Sequence, residues 1–217
     1  FCTTSAHAIT ILEDSFDRLG PISGSNPDIG PGWSGSGWST DGTSLLVTSN
    51  TFVQAPLTIL PNTTYFLSMD VTVTSRDIGW IGMAFSLPAF NAINGNAVGG
   101  IHHRGMAGPD TLQLFPPSGL STQIIPGDLT FPKTLGVELV TGSSLTNSTT
   151  SWKLNGLSIG TSQPVDASAI NGVVIQSNIG RGFVDNIRLT AEPVPEPSSL
   201  LLCGLGIFGF AARRKRP

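Results

Sequence analysis

Apolar and polar residues alternate with period two along most of this chain. In residues 64–74, Tyr65, Leu67, Met69, Val71 and Val73 fall on one side and Ser68, Asp70, Thr72 and Thr74 on the other. Successive side chains of a β-strand point to opposite faces of the sheet, so this stretch predicts a half-buried strand. Residues 133–140 repeat the pattern, with Leu135, Val137 and Leu139 opposite Glu138. Residues 77–86 are more continuously apolar and predict a strand covered on both faces, with Trp80 in the core. Shorter strands are predicted over 44–49, 51–60, 98–104, 111–115, 121–125, 146–155, 157–160, 172–178 and 182–190, after an extended start at Ile9. Asn155-Gly156 lies between two of them and predicts a hairpin, because both residues accept the positive φ of a tight β-turn. Residues 21–38 are rich in Gly and Pro and predict a long irregular loop carrying Trp33 and Trp38. No window carries an i, i+3, i+4 apolar stripe with helix caps. The pattern predicts an all-β body, a two-sheet antiparallel sandwich, over residues 9–192.

The pattern breaks after the body. Residues 194–199 form a polar motif, Val194-Pro195-Glu196-Pro197-Ser198-Ser199, residues 200–212 are apolar, and Arg213, Arg214, Lys215 and Arg216 are basic. A permanent membrane-spanning helix takes about 20 apolar residues. A run of 13, expected as a short C-terminal hydrophobic helix, is marginal, and the basic cluster would hold its end inside by the positive-inside rule. Motif, apolar run and basic cluster in this order resemble the PEP-CTERM sorting signal of exported bacterial proteins. The resemblance implies a Gram-negative source, a membrane-tethered precursor, and recognition of Val194, Pro195, Glu196 and Pro197 by an exosortase-type membrane protease. It further implies removal of the tail and delivery of the body to the cell surface or extracellular matrix. At the other end, Ala6 and Ala8 form the small-residue pattern of a signal-peptidase site, so residues 1–8 read as a signal-peptide remnant.

Charged residues make up only 12% of the chain, about half the share usual in soluble domains. The basic ones are concentrated at the end. Between Ile9 and Glu192 there are 13 acidic and 7 basic residues, a balance of −6. An acidic body excludes nucleic acid as a partner, since phosphate binding needs a basic face. Both cysteines, Cys2 and Cys203, lie outside the body, which must therefore be held together by its core without disulfides.

Within the body, an acidic opening (Glu13-Asp14-Ser15-Phe16-Asp17), a Gly/Trp loop, Gly79-Trp80-Ile81-Gly82-Met83-Ala84-Phe85 and a closing Phe183-Val184-Asp185-Asn186-Ile187-Arg188-Leu189 follow one another. That order resembles jelly-roll domains of the laminin-G/concanavalin and carbohydrate-binding-module type. The resemblance implies extracellular polysaccharide as a partner.

Candidate chemistry is sparse. Glycoside hydrolysis needs two carboxylates about 5–10 Å apart. Before its last residues the body has only Glu13 and Glu138 as glutamates, far apart in sequence. A hydrolase would have to assemble Asp residues from separate loops, and the chain reads as a non-catalytic protein. His102 and His103 are adjacent, so on a strand they face opposite ways and do not share a metal. Strict alternation places Asp185 on the same side as Phe183, Ile187 and Leu189, where a carboxylate must be paired, hydrogen-bonded or bound to a cation. In the related modules an Asp before the final strand holds structural calcium. Asp185, with Asp14 and Asp17, is the candidate set here, while a β-bulge or an Asx-type hydrogen bond would satisfy Asp185 without metal. Trp33 and Trp38, in the glycine-rich loop, are the candidate sugar-stacking platforms. A purely structural surface domain without a small ligand is the remaining alternative.

Overall fold

The computed structural model describes residues 7–47, 51–73, 79–93, 96–104, 111–116, 123–126, 133–178 and 182–194, and every regular element among them is a strand. In chain order these are β1 (Ile9–Asp14), β2 (Leu19–Pro21), β3 (Ser34–Gly35), β4 (Trp38–Asp41), β5 (Leu45–Val47), β6 (Phe52–Pro56), β7 (Thr63–Val73) and β8 (Trp80–Ser86). They continue as β9 (Ala97–Arg104), β10 (Thr111–Phe115), β11 (Gln123–Pro126), β12 (Lys133–Val140), β13 (Ser148–Leu154), β14 (Leu157–Val165), β15 (Gly172–Asn178) and β16 (Gly182–Pro193). The predicted strands at 111–115, 133–140 and 172–178 are found with those bounds. The predicted loop at 21–38 encloses β3 and is flanked by β2 and β4.

The strands form two antiparallel sheets. The larger runs β14-β13-β12-β7-β16-β5-β4-β2, with β1 also on β16, and the smaller runs β11-β10-β9-β8-β15-β6-β3. This is the all-β, two-sheet jelly-roll sandwich expected from the sequence. Tyr65, Leu67, Met69 and Val71 project inward from β7 and meet Ile81, Met83 and Phe85 of β8 in one continuous core. Trp152 ties the sheets together, its Nε1–H donating to the carbonyls of Gly99 and Gly100 at 3.1 and 3.0 Å. Asn155 and Gly156, at φ 50° and 79°, make the predicted turn between β13 and β14.

One predicted orientation is corrected by β16. Its register on β7 shifts between Asp185 and Arg188, and Asn186 adopts φ 47°. The extra residue separates Asp185 from Ile187 and Leu189, which are buried in the core while Asp185 is only half-buried. The bulge thus turns the carboxylate away from the apolar side. The sorting-tail residues Pro195, Glu196, Pro197, Arg213, Arg214, Lys215 and Arg216, and the expected helix over 200–212, lie outside the described residues, as does Ala6. Ala8 is exposed just before β1, and Val194 donates its N–H to the Asn62 carbonyl at 2.8 Å.

Candidate functional site

The tryptophans proposed as platforms are structural. Trp33 and Trp38 are 2% and 3% exposed, so neither offers a ring face to solvent. Both indoles plug into the main core instead, Trp33 from the glycine-rich loop and Trp38 from the start of β4. Asp14, itself fully buried, anchors this plug. Its two oxygens accept from the Phe16 N–H at 2.8 Å, from Arg18 through a two-pronged contact at 2.7 Å each, and from Trp33 Nε1–H at 2.6 Å. Removing that carboxylate leaves a half-buried guanidinium and a buried indole N–H without their acceptor. Asp14→Ala is expected to cost about 2 kcal/mol, discounted for the solvent access of Arg18, with Asp14→Asn costing less. Urea unfolding measures both.

The candidate calcium carboxylates do share a neighbourhood. Burial raises the pKa of Asp185, and the charges of Asp70, Asp17 and Asp14 raise it further against the opposing hydrogen bond from the Asn186 N–H. They do not form a ligand set. Asp14 is saturated by Arg18, Trp33 and Phe16, Asp17 is an exposed loop residue, and Asp185 accepts from Asn186 at 2.7 Å. Among the described residues no group of three or more His, Cys, Asp or Glu is arranged to hold a metal ion. Beside them a cleft of about 360 Å³ is lined by Glu13, Asp28, Asp70, Asn186 and Arg188, among others. Two of its acids are occupied: Thr134 Oγ1 and Asn186 Nδ2 donate to Asp70 at 2.6 and 3.1 Å, and Ser15 donates twice to Asp28.

The distinctive surface lies on the smaller sheet, on the side facing away from the core. Alternation along β8 puts Ile81, Met83 and Phe85 inside and Trp80, Gly82, Ala84 and Ser86 outside. The outer set is one large ring followed by three small residues, and the space above them is filled from neighbouring strands. His102 of β9 lies opposite Gly82, where any Cβ would collide with the imidazole. Its ring stacks on Trp80 with centroids 4.0 Å apart and an interplanar angle of 4°, and meets Phe115 of β10 at 4.3 Å and 52°. Trp80, His102 and Phe115 thus form a ladder of rings across three strands. Trp80 is half-buried, which corrects the expected core position and leaves part of the indole open.

A loop seals the other half of this face. Between Ser86 and Ala97 the chain folds back so that Phe90 and Ile93 pack on Ala84, Val174 and Phe115. Gln176 of β15 clamps it, accepting from the Ile93 N–H at 2.9 Å and donating to the Asn91 carbonyl at 3.3 Å. Phe90 meets Phe52 edge-on at 4.9 Å. Among the described residues, the open part of the face is the end that carries Trp80 and Arg104, both half-buried, with the buried His102 beside them.

The histidines point opposite ways, as adjacency on a strand requires, yet both are buried. Burial pushes His102 down to about 3, with the charge of Arg104 adding to it, and His103 down to about 4. Two buried polar atoms at the open end, His102 Nε2 and Arg104 Nε, have no hydrogen-bond partner among the described residues. Trp80, His102 and Arg104 were not singled out as site residues from sequence. The available signal was the Trp-Gly-Ala-Ser alternation of 80, 82, 84 and 86, which marks an outer face with room for a neighbour's ring.

Comparison with known proteins separates tail from body. Residues 193–216 match the PEP-CTERM protein-sorting motif, so the chain carries that sorting signal and is an exported protein. No curated protein sequence matches it. The body is similar in fold to a lectin from Bauhinia forficata in complex with GalNAc, at 12% identity and TM-score 0.51, covering 88% of this chain and 100% of the lectin. It is also similar to the CBM2 module of the Lactobacillus casei BL23 phage J-1 evolved Dit, at 8% identity and TM-score 0.54, covering 88% and 99%. The endo-1,3-beta-glucanase of Streptomyces sioyaensis matches at 14% identity and TM-score 0.54, covering 88% and 98%. At these identities the likeness is one of fold.

Proposed function

We propose that this protein is a non-catalytic polysaccharide-binding module, sorted to the cell surface or extracellular matrix through its tail. The observation that carries this reading is the half-exposed indole of Trp80, braced by His102 and Phe115 beside two buried polar atoms that lack partners. A flat ring held rigid on a sheet offers apolar contact area at little cost in side-chain entropy, and the half-buried Arg104 beside it is a polar group at its edge. Such a constellation is suited to the face and edge of a pyranose ring. Lectins and a binding module share the fold, which supports the same reading.

A glucanase shares it too, and the residues of the face separate the alternatives. None of the seven strands of the smaller sheet contains an Asp or Glu. The pair of carboxylates that glycoside hydrolysis needs is therefore not supplied by the strands carrying Trp80. Full-length protein is expected to bind polysaccharides on a glycan array and to release no reducing ends from those it binds. Reducing ends appearing with turnover would replace this reading with a hydrolase, and the absence of any glycan bound would leave a purely structural domain.

The described body ends at Val194, whose N–H donates to the Asn62 carbonyl, and Pro195 is the next residue in sequence. Glu196→Ala is expected to leave the protein in the membrane fraction. Mass spectrometry of the surface form should find no peptide containing Arg213–Pro217, and recovering that peptide would contradict tail removal.

A further inference from the structure

We propose that the polysaccharide held on this face is anionic, its carboxylate or sulfate groups being met by the guanidinium of Arg104. This rests on the binding reading above and narrows it to a ligand class. Arg104 is the only charged residue in the seven strands of the smaller sheet. On the strands of the larger sheet lie Glu13, Asp14, Asp41, Asp70, Glu138, Asp185 and Glu192. The sandwich therefore keeps all its strand carboxylates, together with Lys133, Lys153 and Arg188, on one sheet and a single cation on the other.

That cation has no ion pair or hydrogen bond among the described residues, and its Nε is buried. Elsewhere in the body Arg18, in the turn after β1, is paired with Asp14, Lys153 with Glu138, and Arg188 donates to Thr10 Oγ1. A half-buried cation without a counter-charge is costly, and a ligand anion arriving beside it removes that cost. Position supports the same ligand. Arg104 is the cross-strand partner of Trp80, so the guanidinium and the indole are rooted side by side. Residues directly opposite on antiparallel strands have Cβ atoms about 5 Å apart. That separation suits a sugar whose ring lies on the indole while an acid group on the ring edge reaches the guanidinium. The planar fork of Arg matches carboxylate and sulfate oxygens two at a time, which Lys does not.

The test compares charged and uncharged forms of the same polymer by calorimetry on the full chain. Polygalacturonate is set against its methyl ester, and dextran sulfate against dextran. In at least one pair the anionic form should bind at least tenfold tighter, the pair concerned identifying carboxylate or sulfate. Arg104→Gln should erase the difference, and Arg104→Lys, which keeps charge but not the fork, should retain part of it. Equal binding of charged and neutral forms, lost together in Trp80→Ala, would overturn the charge assignment and leave the platform standing. An anionic preference that persists in Arg104→Gln would also overturn it. Binding of neutral polymers that survives Trp80→Ala would instead bring down the platform reading itself.

Discussion

Trp80→Ala weakens polysaccharide binding by about 100-fold or more, roughly 3 kcal/mol, a size expected of an aromatic anchor at the centre of a contact. The prediction is specific because the other three tryptophans are no more than 3% exposed. Trp38→Ala should lower stability by opening a cavity, with binding of the surviving folded fraction unchanged. Trp80→Ala should do the reverse. It removes the outermost ring of the ladder and leaves Phe115 on His102, so the melting temperature should shift by only a few degrees. Titration calorimetry paired with thermal unfolding separates the two cases.

Acid is expected to destabilise the fold steeply between pH 6.5 and 4. His102 and His103 are held neutral in the folded chain, with values of about 3 and about 4, and return to about 6.5 on unfolding. Below pH 6.5 the unfolded chain therefore binds up to two more protons than the folded one. By linkage, the stability contributed by these two groups is fully present above pH 6.5 and is lost as pH falls toward the folded values. Together they should remove on the order of 5 kcal/mol by pH 4, which lowers the urea midpoint by about 2 M. Replacing His103 with Leu should flatten the pH dependence by about half while leaving stability at pH 7.5 little changed. A midpoint that is level from pH 7.5 to 4.5 in the parent protein would show that the imidazoles are not neutral and buried.

Much of the fold is legible in the sequence because its longest central strands follow the pleat over seven or more residues. β7 and β12 announce themselves by alternation, and the β13–β14 hairpin by Asn155-Gly156. What is not legible is pairing across long separations. That β16 inserts between β7 and the first strand depends on contacts more than a hundred residues apart, which no local pattern encodes. The misread residues have local physical causes. Asp185 is misplaced because one extra residue at Asn186 reverses every later side chain, although Asn is among the few residues that tolerate that φ. Trp33 and Trp38 read as exposed because they sit among glycines. The loop is nevertheless ordered by Asp14, whose carboxylate finds Arg18 four residues later and Trp33 nineteen residues later. Trp80 reads as core because the small residues after it look like apolar filling. They are instead the floor on which His102 lies. The sorting motif is legible because its three blocks are contiguous and need no tertiary context.

The central claim is that sugar is held on the Trp80 face and nowhere else. Its most direct test is the set of four indole N–H signals in a ¹⁵N-correlated NMR spectrum of the protein, followed while the tightest-binding oligosaccharide is titrated in. The account predicts that the Trp80 signal moves progressively to saturation while those of Trp33, Trp38 and Trp152 stay in place. Movement of the Trp33 or Trp38 signals with Trp80 unchanged, or no movement in any of the four, would contradict it.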